Sequence, residues 1–94
     1  MTPIRIKEIL NIALKSPIIK KRFPMIETIN IVDVREKHLT PNNYVIQIKL
    51  MYDKNQGFNF DTKEEFREKI YELLDTLEIG GPYSGVYIDD YESA

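Results

Sequence analysis

The residues able to do chemistry are few and scattered. His38 is the only histidine among 94 residues, and there is no cysteine. A zinc site of the usual kind needs several thiolates or imidazoles, so His38, set in a polar stretch, reads as a surface residue. Asp53, Asn55, Asn59, Asp61 and Glu64 fall at positions 1, 3, 7, 9 and 12 of an EF-hand-like count. Position 6, where the sharp turn of a calcium loop requires glycine, is Phe58. The stretch reads instead as a loop that caps a helix. Asp89, Asp90 and Glu92 are acidic, but neighbouring strand residues point to opposite faces, so the two aspartates do not share one ion. Gly80-Gly81-Pro82-Tyr83-Ser84-Gly85 has no lysine and opens no helix, so it is neither a P-loop nor a dinucleotide fingerprint. Ser84 has no base in view to make it a nucleophile. Lys20-Lys21-Arg22, with Lys15 and Phe23, could touch phosphates. A pI near 5.4 argues against nucleic-acid binding as the main role. No catalytic residue, metal ligand or cofactor is expected.

These residues must be positioned by a small set of elements. Tyr44–Tyr52 organises the chain: Tyr44, Ile46, Ile48, Leu50 and Tyr52 are apolar at every second position, as a half-buried strand requires. Thr2-Pro3 starts a helix, because threonine caps free N–H groups and proline at the first helical position has its φ already set. Ile6, Ile9, Leu10 and Ala13 give its apolar stripe, with Leu14 at the margin. Ile4 and Ile12 lie off that stripe and read as a widened core face or an exposed contact patch. Ser16-Pro17 repeats the start signal, and the turn Ile18–Phe23 stops before Pro24. Met25–Arg35 reads as a strand whose alternation breaks, which predicts a bulge near Asn30–Asp33 or partial cover on both faces. A polar turn up to Asn43 makes a hairpin with Tyr44–Tyr52. Asp61 with Glu64 and Thr62 with Glu65 read as capping boxes. Phe66, Ile70, Leu73, Leu74 and Leu77 then mark a helix, ended by Gly80-Gly81-Pro82. Gly85–Tyr91 reads as a last strand, with acids suited to an edge.

The expected architecture is a single α+β domain over residues 1–94. Its parts are an N-terminal helix and proline-bounded turn (1–24), a β-hairpin (25–52), a helix (61–79) and a last strand (84–91). The order α-β-β-α-β predicts a small three-stranded sheet with two helices on one face, a ferredoxin-like pattern lacking its first strand. No apolar run approaches the roughly 18 residues of a membrane span, and no apolar leader follows Met1. A cytoplasmic protein is expected.

Charge and aromatic content point to protein partners. Residues 1–22 carry six cations against one acid, net +5, whereas residues 55–94 carry three cations against ten acids, net -7. Such a gradient suits contacts in which Lys20, Lys21 and Arg22 of one copy meet Glu68, Glu72, Asp75, Asp89 or Asp90 of a neighbour. Phe58, Phe60, Tyr83, Tyr87 and Tyr91, with Tyr52, are more aromatics than one face of so small a core can hide. Exposed tyrosines beside a polar rim are common at interfaces.

Ile6–Pro24, the pair Ile26–Val34 and Tyr44–Tyr52, and Phe66–Gly81 follow one another in an order that resembles the small ring-forming proteins of tailed-phage virions, of tail-terminator and head–tail joining type. The first half is also similar to baseplate wedge proteins of the lysozyme-like type. Those carry Glu-Pro-Arg between helix and strand, where this chain has Arg22-Phe23-Pro24. The resemblance implies a non-enzymatic structural protein, homo-oligomeric or part of a larger assembly, incorporated into a virion. The alternatives are a small regulator or inhibitor of one host protein, and a nucleic-acid-binding module.

Overall fold

Thr2 and Ser16 act as caps. In the computed structural model, which describes residues 1–93, the Thr2 hydroxyl accepts from the Arg5 N–H at the start of α1 (Pro3–Leu14). The Ser16 hydroxyl accepts from the Ile18 N–H at the start of α2 (Pro17–Arg22). Two strands follow, β1 (Ile26–Glu36) and β2 (Tyr44–Tyr52), then α3 (Phe60–Thr76) and β3 (Gly85–Glu92). The result is an α+β domain with a mixed three-stranded sheet in the order β1-β2-β3. β1 pairs antiparallel with β2, and β3 parallel. The crossover to β3 runs through α3, as a parallel connection requires.

The core lies on one face of the sheet. Ile46, Ile48 and Leu50 of β2 are buried there, against Ile6, Leu10 and Leu14 of α1 and Phe66, Ile70 and Leu74 of α3. Burying each such side chain contributes about 1.5–3 kcal/mol. Ile4 and Ile12 do not widen this core. They lie on the outward side of α1, each more than 70% exposed.

β1 has two bulges, at Glu27 and Val32. They explain its irregular pattern. Each inserts one residue, so Ile26, Ile29, Ile31 and Val34 all turn to the core although their spacing is three, two and three. Side chains of the N-terminal helices bond to backbone groups on the outer edge of this strand. Asn11 Oδ1 accepts from the Ile31 N–H (3.1 Å), Lys7 Nζ donates to the Val32 carbonyl (3.3 Å), and Lys20 Nζ donates to that of Ile26 (2.9 Å).

The start of α3 differs from the sequence expectation. Its cap is Asn59, whose Oδ1 accepts from the Thr62 N–H (2.8 Å) and hydroxyl (2.9 Å). Asp61 and Thr62 lie within the first turn instead of forming capping boxes. Glu64 pairs with Arg67, and Glu65 with Arg22. Asn59 wins because it frees Phe60 and Asp61 to be helical, the acid near the positive end of the dipole. Asp53, first in the EF-hand-like count, folds its own turn. Its carboxylate accepts from the Asn55 N–H (2.9 Å) and Gln56 Nε2 (3.1 Å), which hold its pKa below the usual aspartate value.

The end of α3 also differs. The helix stops at Thr76, not 79, because Glu78 takes φ +55°. The Ile79 N–H then donates to Leu74 O (2.8 Å) and that of Glu78 to Asp75 O (3.0 Å), a Schellman motif with buried Ile79 and Leu74 as its apolar contact. Glycine is the residue that adopts this backbone without a Cβ penalty, and here a glutamate does so. Glu78→Gly is expected to raise stability by about 0.5–1 kcal/mol, read as a higher denaturant midpoint at unchanged m-value.

Candidate functional site

β2 puts its even positions into the core, so its odd positions must face the other way. Val45, Gln47, Lys49 and Met51 lie on that second face, beside Asp33 and Arg35 of β1 and Tyr87, Asp89 and Tyr91 of β3. No helix covers them. Val32, pushed out by its bulge, joins the same surface, and a cleft of about 470 Å³ runs between Val32, Gln47, Lys49, Tyr87 and Tyr91.

The charged side chains on this face are held by neighbours, one ion pair among them. Arg35 Nε lies 2.8 Å from Asp33 Oδ2. Lys49 Nζ sits 4.9 Å above the Tyr91 ring, a cation–π contact. The Tyr91 hydroxyl donates to Asp89 Oδ2 at 2.8 Å. That bond and the negative charge of Asp89 raise the Tyr91 pKa above the ordinary tyrosine value. A raised phenol pKa means that the folded form favours the neutral ring. The stabilisation is complete below the unfolded tyrosine pKa and is lost as pH rises through the folded one. Asp89→Asn is expected to bring the Tyr91 titration, followed by its ring NMR signals, back toward that of a free tyrosine.

The sequence-predicted interface residues divide into two groups. Phe60, Tyr83, Tyr87 and Tyr91 are exposed, Phe60 at 73% and Tyr87 at 55%. Phe58 is a correction. It is buried in the core, its ring centroid 5.5 Å from that of Tyr52, because the loop before α3 folds inward to seat it. Asp90 is half-buried and bound within the chain, at 2.7 Å from Lys63 Nζ. Arg22 is likewise engaged at home, 2.7 Å from Glu65. Lys20 directs its ammonium to the Ile26 carbonyl. Lys21 remains exposed. The fold thus sets Arg22 of α2 beside Glu65 of α3, which periodicity along the chain could not reveal.

Glu68, Glu72 and Asp75 share one side of α3. They border a groove of about 620 Å³ between that helix and the turn Ile79–Ser84. Lys69 Nζ approaches Glu72 at 3.3 Å. Ser84 is structural, since its hydroxyl accepts from the Tyr44 N–H at 3.0 Å. Among the described residues no three histidine, aspartate or glutamate side chains gather closely enough to hold a metal ion. No described helix is long and apolar enough to cross a membrane.

Sequence reasoning missed Val32, Lys49 and Met51 as surface candidates. Lys49 and Met51 were detectable, since they alternate with the buried positions of β2. Val32 was not, because only the bulge decides its side. No protein-family model, curated protein or solved structure matches this chain.

Proposed function

We propose that this chain is a non-catalytic assembly protein that works by binding protein through the uncovered face of its sheet. The observation that carries the reading is that face itself: Val32, Met51, Tyr87 and Tyr91, drawn from all three strands, are each between 39% and 55% exposed. An aromatic and apolar centre ringed by charged side chains has the composition of a protein interface. The virion-component reading, with subunits in a ring, is one form of such an assembly and rests on the order of elements.

With Arg22 paired inside the chain, the self-contact is expected to be mainly apolar and to survive salt. Light scattering on a sizing column should show an oligomer at low and high ionic strength, and Tyr87→Asp should convert it to monomer. A monomer at every concentration, unchanged by Tyr87→Asp, overturns self-assembly. The second reading, a regulator of one other protein, draws on the groove bordered by Glu68, Glu72 and Asp75. A stable monomer that captures a single partner, and loses it on Glu72→Lys, is the result that favours it.

A further inference from the structure

The two edges of the sheet differ in what occupies their backbone groups. On β1, Asn11, Lys7 and Lys20 bond to the outward groups of Ile31, Val32 and Ile26, and two bulges break the line. Such devices block the addition of another strand. On β3 the parity of the residues decides which groups are free. Ser93 continues the strand and donates its N–H to Tyr52 O at 2.8 Å, so odd-numbered residues bond toward β2. Val86, even-numbered, turns away from β2. Its N–H donates to the Tyr71 hydroxyl (3.1 Å) and its carbonyl accepts from Arg67 Nε (3.3 Å). Ile88 and Asp90 share that parity, and among the described residues nothing bonds to their outward N–H and C=O.

We propose that β3 over Ile88–Glu92 is a docking edge to which an extended, basic segment of another protein adds as a fourth strand. Backbone pairing supplies the contact and alternate side chains the selectivity. Charge decides the occupant. β3 carries Asp89, Asp90 and Glu92 and no cation, and Lys63 neutralises Asp90 alone. A second copy of β3 would set these acids against themselves, and the β1 edge of a second copy is already occupied. A cationic strand from a different protein is complementary. On the open face it would meet Tyr87, Asp89 and Tyr91 at every second residue. The segment that fits therefore reads apolar, any residue, Lys or Arg, any residue, apolar. The side chains of the added strand would share Tyr87 and Tyr91 with the proposed self-contact, so the two would compete for that face, but the backbone pairing at Ile88 and Asp90 does not rest on that reading.

The test uses the full chain and a fluorescein-labelled peptide, Gly-Thr-Val-Thr-Lys-Thr-Val-Thr-Gly. Fluorescence anisotropy reports affinity and amide hydrogen exchange reports the site. Binding is expected to protect the Ile88 and Asp90 amides. N-methylation of one alternate set of peptide amides should abolish binding, and N-methylation of the other set should be tolerated. Replacing the peptide lysine by glutamate, or Asp89→Lys in the protein, should weaken binding about tenfold or more. The proposal is overturned if both N-methyl sets bind alike or if protection falls outside β3. Absence of binding at peptide concentrations on the order of 1 mM also overturns it.

Discussion

Phe66→Ala is expected to cost about 3–5 kcal/mol and to lower the thermal midpoint by roughly 15–30 °C. Phe66 is wholly buried in α3. Its ring meets that of Phe23 edge to face, with centroids 5.3 Å apart and planes at 82°. Phe23 is itself buried and ends α2. The pair therefore joins two helices whose partners are 43 residues apart, next to the exposed Arg22–Glu65 ion pair. Truncation leaves a cavity that the surrounding Ile and Leu side chains fill only in part, and it forfeits the aromatic contact. Domains of this size have total stabilities of about 5–15 kcal/mol, so the variant sits near the unfolding threshold. Phe60→Ala is the control. Phe60 is 73% exposed, and its loss should change stability by no more than about 0.5 kcal/mol. Urea denaturation of the two variants checks both values. Equal effects would mean that the Phe23–Phe66 contact does not fasten α2 to α3.

Asn43→Ala should cost about 2–4 kcal/mol although it removes no apolar packing. Among the described residues Asn43 is the buried polar one, 6% exposed. Its Nδ2 donates to the carbonyls of Thr40 (3.3 Å) and Pro41 (3.2 Å), and its Oδ1 accepts from the Tyr83 N–H (2.7 Å). One side chain thus closes the hairpin turn and ties it to the turn before β3, 40 residues away. Alanine leaves an N–H without its acceptor in a part-buried site, which costs more than the bond itself contributes. Gly81 belongs to the same arrangement, since a Cβ there would lie 2.6 Å from Asn43 Oδ1. Asn43→Asp separates the terms: it keeps the acceptor for Tyr83 and sets a carboxylate against two carbonyls. It should be at least as damaging as alanine at neutral pH and recover part of its stability as acidification protonates the added carboxyl.

The buried faces of α1, β2 and α3 were legible because burial has a period that local sequence records. Tyr44 to Leu50 alternate, Ile6, Leu10 and Leu14 recur by four, and the buried positions follow. The starts of α1 and α2 were legible for the same reason: Thr2-Pro3 and Ser16-Pro17 act within one turn of chain. The α3 cap was not. Asn59, Asp61 and Thr62 are all good caps, and the choice among them depends on how Phe58 is drawn into the core.

The candidate surface was half visible. Tyr87, Asp89 and Tyr91 share a face by parity alone, and Phe60 and Tyr83 are exposed as expected. Which acids and cations are free was not visible, because Arg22 with Glu65 and Lys63 with Asp90 meet only after α2, α3 and β3 have packed. By itself the sequence determined the α+β class, the element order and the side of β2 that turns inward, since these follow from spacing between neighbours. The tertiary structure alone decided the position of Val32, the internal pairing of the charge gradient and the edge of the sheet left open. Those depend on a bulge, on ion pairs and on capping side chains whose partners lie from 6 to 43 residues away.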